Sequence, residues 1–123
     1  MSYPPPYPPA GPQPLRPDEE RTWAIVAHLG GLVAWFLAPL VIWLVFRGRG
    51  PYLENQAKES LNFQLTLLVA YVAAGVIALV TLGFGTPLLL LVAVGQLVLQ
   101  ILAAVAASRY EWYRYPVNIR FVS

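Results

Sequence analysis

From Trp23 to Phe46 the chain contains no Asp, Glu, Lys or Arg, and two more such runs follow, Leu61 to Leu82 and Leu88 to Ala107. A helix rises 1.5 Å per residue, so about 20 apolar residues cross a hydrocarbon core of about 30 Å. Lipid offers no partner to a bare peptide group, which leaves the helix as the form such runs can take. The alternative, core helices of a water-soluble domain, needs a polar stripe on each helix and charge to cover it. Only 11% of the residues are charged and 58% are hydrophobic, against about 25% charged in an ordinary soluble domain. The sequence therefore predicts an all-α integral membrane protein with three transmembrane helices at about 23–46, 61–82 and 88–107.

The connecting segments sharpen this expectation. Residues 1–21 read as a Pro/Tyr-rich tail that samples extended polyproline shapes, either a solvated tail or a ligand for a proline-recognising domain, and 22–123 as the membrane domain. Trp23 and Trp43 are placed for the two interfaces of the first span, and Pro39 predicts a kink against the carbonyl of Trp35. After Arg47-Gly48-Arg49-Gly50-Pro51, residues 52–60 read as a short amphipathic interfacial helix before the second span. Leu53, Ala57 and Leu61 share one face, and Glu54 and Lys58 pair on the other. Gly83-Phe84-Gly85-Thr86-Pro87 is a tight turn that makes the second and third spans antiparallel neighbours. Tyr110, Trp112, Tyr113 and Tyr115 fall where an interfacial belt is expected, and Pro116 stops any helix there. Three crossings leave Arg16 and Arg21 on one side, with Arg47, Arg49, Lys58, Arg109, Arg114 and Arg120 on the other. The basic excess predicts the N-terminus outside and the C-terminus in the cytoplasm.

Few residues carry chemistry. The chain has no cysteine, and its formal charge of +2 suits neither a nucleic-acid groove nor a polyanion. No Ser/His/Asp set, carboxylate pair within a span or phosphate-cradling loop is present, so no catalytic residue, cofactor or metal site is expected, and no enzyme. Gly30, Ala34 and Ala38, then Ala70, Ala74 and Ala78, then Ala103 and Ala107 are spaced four apart, the pattern that lets helix backbones approach closely in lipid. They are candidate packing positions, within the bundle or toward another copy or another integral membrane protein. His28, Asn62, Gln64, Gln96 and Gln100 are candidate intramembrane polar contacts, with Gln64 and Gln100 toward one end and His28 and Gln96 toward the other. Hydrogen-bonded glue is favoured over a polar path because no charge lines one. The six basic residues beyond the first span are candidate contacts to membrane lipid headgroups.

Several blocks form a recognisable order: Trp23, His28-Leu29, Pro39-Leu40-Val41-Ile42-Trp43-Leu44, Asn55 through Gln64, and Tyr113 through Phe121. This set resembles the small bacterial membrane proteins of domain-of-unknown-function family forty-eight seventy, called Tic-twenty-like. One departure is Tyr110 before Glu111, where that family more often has glycine. The resemblance implies a multi-pass protein of the bacterial plasma (inner) membrane and a distant link to protein translocation. The expected function is a non-enzymatic accessory or assembly subunit of a homo-oligomer or larger membrane complex. The alternatives are a transport component using Asn62, Gln64, Gln96 and Gln100, and a regulator acting at the lipid surface.

Overall fold

The structure, a computed structural model, describes residues 13–122. All regular secondary structure among them is helical: α1 (Pro17–Ala34), α2 (Leu37–Val45), α3 (Pro51–Val80) and α4 (Thr86–Ser108). The proline-rich stretch through residue 12 lies outside the described residues. Pro17 opens α1, where its missing N–H costs nothing, and Asp18, Glu19 and Glu20 sit at the positive end of the helix dipole. Pro51 opens α3 in the same way.

The expected first span is two helices that fold back on each other. Trp35 adopts φ +54° and ends α1, four residues before Pro39. Pro39 has no N–H to offer the Trp35 carbonyl and its ring crowds that oxygen. The predicted kink is thus a full reversal. Close contacts run along the resulting hairpin. The Trp23 and Phe46 rings lie 4.9 Å apart, and the Leu15 N–H donates to the Arg49 carbonyl at 2.7 Å. A Cβ on Gly30 would sit 2.8 Å from that of Ala38. Trp23 and Trp43 therefore mark one end of the hairpin rather than two ends of a span. Among the described residues two helices, not three, are long and apolar enough to cross a membrane, α3 and α4. The separate interfacial helix is also absent: residues 52–60 are the first turns of the continuous α3, and Tyr52, Leu53, Gln56, Ala57, Glu59 and Ser60 are buried.

The α3–α4 turn is as tight as its glycines suggested. Leu82 and Gly83 take φ +54° and +95°, and the Gly83 N–H returns to the Ala78 carbonyl at 2.7 Å. The hairpin of α1 and α2 covers only the half of α3 and α4 away from this turn. Buried positions on α3 run from Tyr52 to Leu67, with Ala74 the one beyond. On α4 they are Gln100, Ala103, Ala106 and Ala107. The outward face of the hairpin is apolar, with Val26, Leu29, Leu32, Val33, Leu37, Val41 and Leu44 exposed. Past α4 the chain does not extend outward but folds back along α3 as a strap ending at Val122.

Candidate functional site: a polar seam under the C-terminal strap

The covered half encloses a line of polar side chains in an otherwise apolar bundle. At its outer end Glu20 is buried, and its carboxylate accepts from the Leu53 N–H at 3.0 Å and from the Tyr110 hydroxyl at 2.8 Å. A side chain from α1 thereby caps the N-terminus of α3, satisfying an orphan amide and meeting the positive end of the dipole. Gly50, the residue before α3, must be small, since a Cβ there would run into the Glu20 carboxylate. Tyr110 takes φ +59° just after α4, the position where glycine is usual, and the Glu111 N–H closes the turn onto Ala106 at 2.9 Å. Its ring stacks on Tyr52 at 4.3 Å between centroids. Tyr52 donates to the Glu111 carbonyl at 2.6 Å. Burial, then the neighbouring Tyr110, Glu111 and Glu20, pushes its phenol up to about 12.

Deeper in, His28 is fully buried between Tyr115 and Gln56. The Gln56 amide nitrogen is committed to Asn55 Oδ1 at 2.8 Å and the Tyr113 carbonyl at 3.2 Å. Its oxygen therefore accepts from His28 Nε2 at 3.0 Å, and His28 Nδ1 shares a hydrogen bond of 2.7 Å with the Tyr115 hydroxyl. The Gln56 oxygen can only accept here, which places a proton on Nε2. Ser60 donates to the Ala27 carbonyl and Gln100 to that of His28. Gln64 and Gln100 flank Gly31, where a Cβ would run into the Gln64 amide and lie 2.7 Å from Gln100 Nε2. Gln64 Nε2 and Gln100 Oε1 have no hydrogen-bond partner among the described residues.

The strap is zipped to α3 by side chains standing in for a strand. The buried Glu59 carboxylate accepts from the Tyr115 N–H at 2.9 Å and the Asn118 amide at 3.2 Å, and pairs with Arg120 at 3.1 Å. Asn62 exchanges two bonds of 2.7 Å with the Val122 backbone. Thr66 accepts from the Ile119 N–H at 2.9 Å. The Tyr115 ring stacks flat on Phe63, 3.9 Å between centroids.

The predicted polar residues are thus split among different contacts. His28 and Gln100 meet, Gln64 joins them at Gly31, Asn62 serves the strap, and Gln96 pairs with Tyr71 at 2.6 Å. His28 lies with Gln56 and Gln100, away from Gln96, because α1 turns back before reaching the far end. Among the small residues, Gly30 meets Ala38, while Ala34 is exposed at the hairpin tip. Ala74 is buried, Ala78 underlies Gly85, Ala70 lines an apolar slot with Val92 and Gly95, and Ala103 and Ala107 are fully buried. Of the basic residues, Arg47 and Lys58 lie over the Trp43 ring and Arg49 over Phe46. Lys58 also pairs with Glu54 at 3.7 Å. Arg109 ends α4. Arg114, Arg120 and Lys58 line a cleft of about 230 Å³ beside the strap. Tyr110, Tyr113 and Tyr115 pack inward instead of forming a free belt. Glu20, Gln56, Glu59 and Ser60 were not singled out from sequence; for the three on α3 the signal is the run of polar positions 56, 59, 60, 62, 64 and 66 within an apolar helix.

The segment holding this seam, residues 19–122, matches MamF_MmsF, the magnetosome magnetite crystal formation protein family. The chain belongs to that family. The match runs from the first turn of α1 to the last residue of the strap, so it takes in the hairpin, both long helices and the seam together. It overturns the resemblance to family forty-eight seventy and the Tic-twenty-like label, and with them the link to protein translocation. Comparisons with curated proteins and with solved structures each found no match. Family and apolar helices together make this a membrane protein of the magnetosome family, and nothing in the seam supplies positive support for catalysis.

Proposed function

We propose that the chain serves magnetite crystal formation as a non-enzymatic membrane subunit that crosses the magnetosome membrane twice. In this reading α3 and α4 span, the α1–α2 hairpin dips in from the cytoplasmic side, and both ends of the described chain lie in the cytoplasm. The observation that carries it is charge segregation. All eight Lys and Arg and all six Asp and Glu lie on segments at the end away from the 83–87 turn, and that turn has none. A basic excess of eight to none favours the cytoplasm strongly. The turn facing the crystal offers Gly83, Phe84, Gly85, Thr86 and Pro87, with no carboxylate to hold iron. The subunit therefore acts through membrane assembly and not by templating mineral with acidic groups.

Assembly with another copy or another membrane protein is supported by the uncovered half of α3 and α4. Gly75 and Gly95 stand there with open space where a Cβ would be, and small residues in lipid let a second helix approach. The chain has no cysteine, so single-cysteine variants report cleanly. An impermeant maleimide on isolated magnetosomes should label Gln13→Cys and Ser108→Cys, and Phe84→Cys only after detergent. Labelling of Gln13 and Ser108 from opposite sides would overturn the topology. Gly95→Cys should cross-link within the membrane; a chain that stays monomeric there sinks the assembly reading. The lipid-surface reading keeps one specific support, the basic cleft of Arg114, Arg120 and Lys58. Its retention on anionic vesicles should fall with salt.

A further inference from the structure

We propose that the molecule is a one-leaflet wedge that favours membrane curved convex toward the cytoplasm; this rests on the two-crossing reading above. Its cross-section is strongly unequal at the two ends. Beside the charged end four helices and the strap stand together, whereas toward the 83–87 turn only α3 and α4 remain. The boundary falls part-way up α3. Ala27 is level with Ser60, which donates to its carbonyl. The hairpin tip at Trp35 is level with Gln64, Leu67, Tyr71 and Gln96, with which it shares a small cavity.

These levels give the depth. From Ala27 to Ala34 α1 rises about 10 Å at 1.5 Å per residue, roughly two thirds of one leaflet, half of a hydrocarbon core of about 30 Å. The α3 helix continues from Tyr71 to Val80 beyond the tip, about 14 Å by the same rise and hence about the other leaflet. Three features hold the hairpin at this depth. The Trp35 reversal with Pro39 ends its advance, Gly31 seats it on Gln64 and Gln100, and Glu20 fixes its base to the start of α3. Its outward face is apolar from Val26 to Leu44, so it occupies leaflet area rather than lying on the headgroups. Two extra helices in one leaflet expand that leaflet alone. The bilayer accommodates the excess by bending so that the crowded leaflet is on the outside of the curve. In a closed compartment lying within the cytoplasm, the cytoplasmic leaflet is the convex one. The shape therefore fits the wall of such a compartment and is unfavourable in flat membrane.

The test uses full-length chain in giant vesicles of phosphatidylcholine and phosphatidylglycerol, inserted with the charged end outward, and a membrane tube drawn from them. Fluorescent label at Ser108→Cys should be concentrated in the tube relative to a lipid marker, with the ratio rising as the tube narrows. In the same vesicles a spin label at Trp35→Cys should report a depth near the bilayer centre, and one at Phe84→Cys the far interface. An unchanged or falling ratio, with the charged end outward and Trp35 at mid-depth, overturns the wedge while leaving the topology intact. Trp35 at the far interface, or Gln13→Cys and Ser108→Cys on opposite sides, overturns the topology and the wedge with it.

Discussion

Glu20 does for α3 what a local capping residue does for most helices, but from another helix. Its carboxylate holds the Leu53 amide and the Tyr110 hydroxyl, and Gly50 leaves the room it needs. Glu20→Ala strands both donors and should cost about 2 kcal/mol, seen as a lower unfolding temperature in detergent. Gly50→Ala should move in the same direction by pushing the carboxylate out of place, whereas Gly75→Ala, which meets open space, should be tolerated. Tyr52 offers a pH test. Its folded pKa of about 12 lies above the ordinary 10.0. The neutral phenol's contribution to stability is therefore complete below the unfolded value and is lost as pH climbs from there toward the folded one. The phenolate absorbance that disappears in Tyr52→Phe should appear only above the ordinary tyrosine range. If the absorbance lost in Tyr52→Phe falls at the ordinary tyrosine value of 10.0, the buried stack with Tyr110 is wrong.

At the scale of elements, the strap is the least expected piece. Its backbone amides are met by Glu59, Asn62 and Thr66, one ridge of α3, so a segment with no regular structure still has its donors paired. Glu59→Ala removes the acceptor shared by Tyr115, Asn118 and Arg120. Limited trypsin digestion of the protein in lipid should then cut after Arg114 far faster than in the parent chain. An unchanged rate would mean that the aromatic packing of Tyr115 on Phe63 holds the strap alone. The long helices were legible in the sequence because lipid requires uncharged length. The hairpin was not. An uncharged run with a central proline and a Trp near each end describes a kinked span and a folded-back pair equally well.

For the whole molecule the asymmetry of charge and of bulk point the same way. Every ionisable Lys, Arg, Asp and Glu sits on the segments around the wide end. Insertion then requires only the uncharged turn to cross the bilayer. Phe84→Lys with Thr86→Lys would oblige two ammonium groups to cross, and each is costly in hydrocarbon. Membrane insertion of that double variant should fall well below that of Phe84→Ser with Thr86→Ser, read by alkaline extraction. Equal insertion would count against α3 and α4 as the crossing pair.

The sequence by itself determined the solvent, the helical class, both ends of α4 and the turn end of α3, but not its start at Pro51. Those depend on local facts: uncharged length, proline at a first turn, glycine at a tight reversal. Only the tertiary structure decided that the first apolar run turns back at Trp35, that His28 belongs with Gln56 and Tyr115, and that the tail closes over Glu59. Each of those depends on which distant surfaces meet, such as Leu15 with Arg49 and Gly30 with Ala38, and a contact between remote positions leaves no periodic mark on either segment.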